Sequence, residues 1–253
     1  MGIILILIVA IAVGVSTALG SLIGLLFQGL PHKYNDILLG FAAGVMLAAA
    51  ILGLIIPSVE MVGKYGLWLV GLAIFMGAVF LSFMDKLTPH LHYLSGVEIE
   101  KHGYNESIDK VLLFVLAIAI HNFPEGIAAG VGFGAENIGG AMTVAIGISL
   151  QNIPEGLVII PPMLSAGISK KRAFLIGSGT GLMGFIGTFV GYYASSISQK
   201  FLPFALAFAG GVMLYIISDE MIPDTHSHGY EKGATYSLLF GFVLMLFIDT
   251  YIS

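Results

Sequence analysis

Two six-residue blocks carry the chemistry of this chain: His-Asn-Phe-Pro-Glu-Gly at 121–126 and Gln-Asn-Ile-Pro-Glu-Gly at 151–156. Each sets an ionisable carboxylate and a proline inside a run otherwise apolar enough to cross a bilayer, where neither is tolerated without a purpose. Residues four apart share one helix face, so His121 stands over Glu125 and Gln151 over Glu155. If the two helices face each other, the four side chains converge. Proline cannot donate to the carbonyl four residues earlier, which would leave Ile120 and Leu150 with free oxygens one turn from the carboxylates and open both helices there. Two buried carboxylates with no Lys or Arg in either run are costly unless a cation neutralises them, and a divalent ion does so directly.

One imidazole, two carboxylates and an amide oxygen suit zinc (Zn2+), with iron (Fe2+), manganese (Mn2+) and cadmium (Cd2+) also compatible. A closed structural zinc site is usually completed by tighter ligands, often thiolates, and this chain has no cysteine. A site that must release its ion fits better, and protonation of the same His and carboxylates weakens binding as pH falls. Taken alone, His121 reads more readily as a packing or proton-relay histidine than as a ligand, and Pro124 or Pro154 as a simple kink; the repetition favours ion coordination. Asn122 and Asn152 admit two readings, as ion ligands or as supports for the opened backbone.

The elements that must position these groups are membrane spans. Of 253 residues, 57% are hydrophobic and only 10% charged, against about 25% charged in soluble domains, and mean hydropathy is +0.98. Thirty-four glycines suit closely packed spans. The fold class is all-α, a polytopic membrane bundle of eight transmembrane helices, approximately 3–27, 37–59, 67–87, 111–134, 138–164, 173–197, 202–222 and 234–251, in a single domain over 1–253. Lys33, Lys86, Lys101, Lys110, Lys170, Lys171, Arg172 and Lys232 fall in or beside the odd-numbered connections, whereas Lys64 and Lys200 fall in the even ones. That bias puts both termini outside the cell membrane and the long connection at 88–110 in the cytoplasm. This connection holds His90, His92 and His102 among Glu98, Glu100, Glu106 and Asp109, and is either a solvated loop or a weak metal-collecting one.

The repeated block in antiparallel spans four and five suggests an inverted repeat about a central site. A fainter echo joins Phe-Ala-Ala-Gly-Val-Met-Leu at 41–47 to Phe-Ala-Gly-Gly-Val-Met-Leu at 208–214, although glycine-rich packing faces alone could produce it. Met46, Met213 and Met245 read as bundle packing. At the end of the seventh span, Asp219 and Glu220 precede Pro223, with Asp224, His226 and His228 following. On the charge-derived topology this is the cytoplasmic mouth, serving to receive departing ions or simply as interfacial polarity. Glu60 is a comparable candidate for the outer entrance.

The paired hexapeptides resemble those of the ZIP family of divalent metal transporters, particularly its GufA-like branch, and the resemblance covers essentially the whole chain. It implies zinc uptake toward the cytoplasm without ATP, a homodimer, and an elevator motion in which spans one, four, five and six slide against the other four. It implies His121, Glu125, Gln151 and Glu155 as primary ligands, Asn122 in a neighbouring subsite, and Asp219 and Glu220 as metal-binding residues of the cytoplasmic mouth. In the family's two-metal form an acid stands where this chain has Asn152. Another stands in span six where Thr180-Gly-Leu-Met-Gly184-Phe185 presents Gly184. Both departures point to a single principal ion. No hydrolase motif or Walker A sequence is present and no organic cofactor is called for, which argues against an enzyme or an ATP-driven pump. Nothing basic enough to bind nucleic acid is present. A selective divalent metal channel is the alternative to a carrier.

Overall fold

The computed structural model describes residues 2–27, 31–87, 104–134, 138–197 and 200–252. Every element among them is helical: α1 (Gly2–Gly24), α2 (His32–Ala48), α3 (Ile56–Leu87), α4 (Tyr104–Val131), α5 (Ile138–Ser165), α6 (Lys170–Ile197), α7 (Leu202–Ile216), α8 (Ile222–Thr225) and α9 (Glu231–Ile252). Two π-helical segments, Ala49–Ile55 and Ile217–Met221, link α2 to α3 and α7 to α8. Six stretches among the described residues are long and apolar enough to cross a membrane: Ile3–Gly24, His32–Phe83, Ile138–Ser165, Lys170–Ser195, Leu202–Thr225 and Glu231–Ile252. His32–Phe83 contains the second expected span and most of the third. Its backbone breaks inside α3 at Gly63, with φ 60° and ψ −170°, a conformation that residues with a Cβ avoid.

The perimeter is apolar. Trp68, Phe75, Val79 and Phe83 on α3, and Leu239, Phe240 and Phe247 on α9, are all exposed. Such a surface fits a hydrocarbon surrounding and makes the chain a multi-pass membrane protein. Met46, Met213 and Met245 are fully buried, as their packing role requires.

Glycine dictates which helices touch. A Cβ on Gly20 would lie 2.1 Å from the Ile153 carbonyl oxygen, and one on Gly156 would lie 2.2 Å from that of Thr17, so α1 and α5 meet backbone to backbone. The α4–α6 pair is closed the same way by Gly126 against Gly184, Gly130 against Thr188, Gly187 against Phe123 and Gly191 against Ile127. Gly44 against Leu238 and Gly241 against Phe41 close α2 on α9, and Gly77 against Phe208 and Gly211 against Ile74 close α3 on α7. Between the groups (α1, α4, α5, α6) and (α2, α3, α7, α9) the tight approaches are to side chains instead: Gly53 meets Val144, and Gly147 meets Met245 and Ala49.

Two expectations need correction. Neither α4 nor α5 is broken at its motif; each continues as one helix through Pro124 or Pro154. A proline inside a helix can be absorbed by a bend without ending it. The irregular turns occur instead at Ala49–Ile55 and Ile217–Met221, each ending two residues before a proline, Pro57 or Pro223. A proline ring clashes with the carbonyl four residues back, and widening the preceding turn relieves that contact. Finally, the expected loop at 88–110 is already helical from Tyr104. The loop residues His90, His92, Glu98, Glu100 and His102 lie outside the described residues, and the side chains of Glu106 and Asp109 likewise.

Candidate metal transport site

The two hexapeptides lie in the middle stretches of α4 and α5, helices that pack against each other. The terminal glycine of each block lets its helix approach a neighbour: Gly126 brings α4 onto α6 at Gly184, and Gly156 brings α5 onto α1 at Thr17. These contacts fix the rotation of both helices and so the direction in which the preceding Glu125 and Glu155 project.

Glu125 is almost fully buried at 1% exposure, and its Oε2 has no hydrogen-bond partner. It lies within electrostatic reach of Glu155, His121 and Glu220 and beside the Gln151 amide. Glu155, half-buried, feels His121 and Glu220 in turn. Gln151 is fully buried and its Oε1 is unpartnered, as are both polar atoms of the Asn122 side chain. A buried amide or carboxylate without a partner costs roughly 1–3 kcal/mol or more, so the orphaned oxygens concentrated on these two motifs make them the candidate place for a cation. His121, Glu125, Gln151 and Glu155 are thus brought into one neighbourhood, with Asn122 beside them. As the side chains stand, no three His, Asp or Glu among the described residues are arranged to close on an ion, so the donors are gathered but not yet clamped.

Asn152 has a more definite task. Its Nδ2 donates to the Val13 carbonyl oxygen at 3.2 Å, tying α5 to α1, while its Oδ1 remains unpartnered. That bond reaches α1 and not an opened α5, so it is neither of the two roles that the sequence left open.

Glu220 is the principal surprise. The sequence places it at the mouth, yet its Oε1 lies 3.1 Å from His121 Nε2. The π-helical turn Ile217–Met221 delivers it there, while the adjacent Asp219 is exposed. The count of two central carboxylates made from the motifs therefore becomes three. The signal was a Glu two residues before an isoleucine-proline pair, but only the widened turn reveals its reach. Gly184 borders the same region: a Cβ built there would lie 3.5 Å from the Asn122 carbonyl oxygen and 2.9 Å from a Val13 methyl.

The sequence model described as "ZIP Zinc transporter" matches residues 95–249. The chain belongs to the ZIP family. Among curated relatives of this ZIP protein, the zinc transporter GufA of Myxococcus xanthus is 40% identical over 249 residues, spanning 96% of this chain and 97% of the relative. The zinc transporter ZIPB of Bordetella bronchiseptica is 36% identical, spanning 93% and 77% respectively. The human zinc transporter ZIP11 is 30% identical, spanning 92% and 93%. These relatives are transporters, not enzymes, and the ZIP protein described here is likewise read without a catalytic centre.

Proposed function

We propose that this ZIP protein carries zinc across a membrane into the cytoplasm, with His121, Glu125, Gln151 and Glu155 as its central ligands and Glu220 as the group that receives the departing ion. The observation that carries the reading is the set of buried, unpartnered oxygens on Glu125, Gln151 and Asn122, adjoined by the His121–Glu220 pair. Family membership and relatives named as zinc transporters support the choice of ion; iron, manganese and cadmium fit the same mixed donors. His121 Nε2 cannot serve an ion and Glu220 at once, so binding at that nitrogen must separate the pair and leave Glu220 free to take the ion onward.

Eight spans remain our reading, counting two in His32–Phe83 about the Gly63 break and one in α4. The lysine and arginine bias supports both termini outside. An elevator motion is supported by the packing: glycine-welded backbones hold α1, α4, α5 and α6 together and join α2 to α9 and α3 to α7 as two further pairs, while side chains meet between the first four helices and those pairs. Shared glycines in the echoed segments, Gly44 and Gly211, both serve helix contacts, and each segment is followed by a π-helical turn. That likeness is compatible with an inverted repeat. A homodimer in the cell membrane belongs to the same proposed reading.

Zinc flux into proteoliposomes tests the function. His121→Ala should abolish saturable uptake, whereas Glu220→Gln should leave binding near normal and slow turnover roughly tenfold, a loss of the size seen when a group supporting a metal site is removed. Uptake unchanged in His121→Ala would refute the site, and fast flux without saturation would favour a channel. Occupancy supplies a separate test. Asn152 and Gly184 withhold two anionic ligands, so the centre should hold one ion, and Gly184→Glu should raise its capacity to two. Zinc titration of both proteins reads the difference directly.

A further inference from the structure

A second group of titratable side chains lies away from the central site, where α2 begins and α8 runs into α9. Asp36, on α2, is fully buried. Its Oδ1 lies 3.0 Å from His228 Nδ1, and its Oδ2 has no hydrogen-bond partner. Four residues before it, the exposed His32 stacks its ring on that of His228, with centroids 4.3 Å apart and planes 19° from parallel. Asp224 in α8 is within electrostatic reach of His228, Asp36 and His32. The connection is held by His226, whose Nδ1 lies 2.9 Å from the Ile222 carbonyl oxygen and whose Nε2 lies 3.1 Å from Thr235 Oγ1. Ser227 Oγ, 3.2 Å from His228 Nδ1, adds a neighbouring oxygen.

We propose that His32, Asp36, Asp224 and His228 form a second binding site for a divalent cation of the zinc class, distinct from the centre between α4 and α5. Zinc sits about 2.0–2.2 Å from imidazole nitrogen and carboxylate oxygen, which places two such ligands of a tetrahedral ion a little over 3 Å apart. The Asp36–His228 separation of 3.0 Å is within a few tenths of an ångström of this spacing, so a small opening of the pair lets an ion take the place of the proton between them. The orphaned Oδ2 supplies further coordinating capacity at a buried position, where an unpartnered carboxylate oxygen is otherwise costly. The shell is not closed as it stands. Asp224 and His32 are exposed and complete it by side-chain rotation without displacing a helix. All four donors lie on α2 and the α8–α9 segment, so this site does not depend on how α4 and α5 face each other, nor on the transport reading.

The test uses the full chain in detergent with the central site disabled by His121→Ala, Glu125→Gln and Glu155→Gln, and measures bound zinc by equilibrium dialysis. Adding His228→Ala should remove one equivalent of zinc. His32→Ala, an exposed change that spares folding, should weaken the same equivalent about tenfold. Zinc binding that is unchanged in both variants, with each still folded by thermal melting, would overturn the proposal. Zinc held elsewhere in the chain is common to all these proteins and cancels in the comparison.

Discussion

Glu125→Gln should abolish saturable zinc uptake, lowering the rate at least about 100-fold, beyond the 10–100-fold typical of losing a group that merely supports a ligand. The substitution keeps size and shape but removes the charge from the most deeply buried carboxylate of the motif pair. Glu125 is 1% exposed with an unpartnered Oε2, so no water shell is available to compensate a bound dication in its place. Because a neutral amide is cheaper to bury than a carboxylate, the variant should be as stable as the parent or more so. Flux measured in proteoliposomes beside a melting curve separates the two effects. Retained saturable uptake would remove Glu125 from the ion's path.

The second large effect concerns assembly. Gly130→Ala should destabilise the protein by at least about 1–3 kcal/mol, the cost of inserting a methyl group into a packed interior. The added Cβ would meet the Thr188 carbonyl oxygen at 2.0 Å. Backbone cannot yield there as a flexible side chain would, so α4 must separate from α6 and the motif one turn earlier must turn with it. Gly71→Ala and Gly179→Ala provide the contrast: a Cβ at either position meets nothing within 4 Å. Both should be neutral or slightly stabilising, since alanine favours a helix over glycine by up to about 1 kcal/mol. Melting temperatures of the three variants in one detergent would show the order. A Gly130→Ala protein as stable as Gly71→Ala would contradict the backbone contact.

Much of the site was legible because its residue types conflict with their surroundings. His121, Glu125, Gln151 and Glu155 stand out against apolar neighbours, and helical spacing puts each pair on one face. The reach of Glu220 was not legible. Regular helical numbering leaves it at the span end, and only the π-helical turn Ile217–Met221 carries its carboxylate to His121. The role of the prolines was misjudged for a related reason. A proline announces a missing hydrogen bond, but whether the helix runs on through it, as at Pro124 and Pro154, or widens before it, as at Pro57 and Pro223, depends on what packs beside that turn. Asp36 and His228 are 192 residues apart, and no local pattern joins them.

The sequence by itself determined an all-helical membrane chain, the two carboxylate motifs and the family they mark, since composition and short helical spacings are local properties. The tertiary structure decided which helices are welded by glycine, which carboxylate reaches His121, and that Asp36 is buried against His228. Those outcomes rest on backbone approach and helix rotation across distant segments, quantities to which every packed neighbour contributes and no short stretch of chain encodes alone.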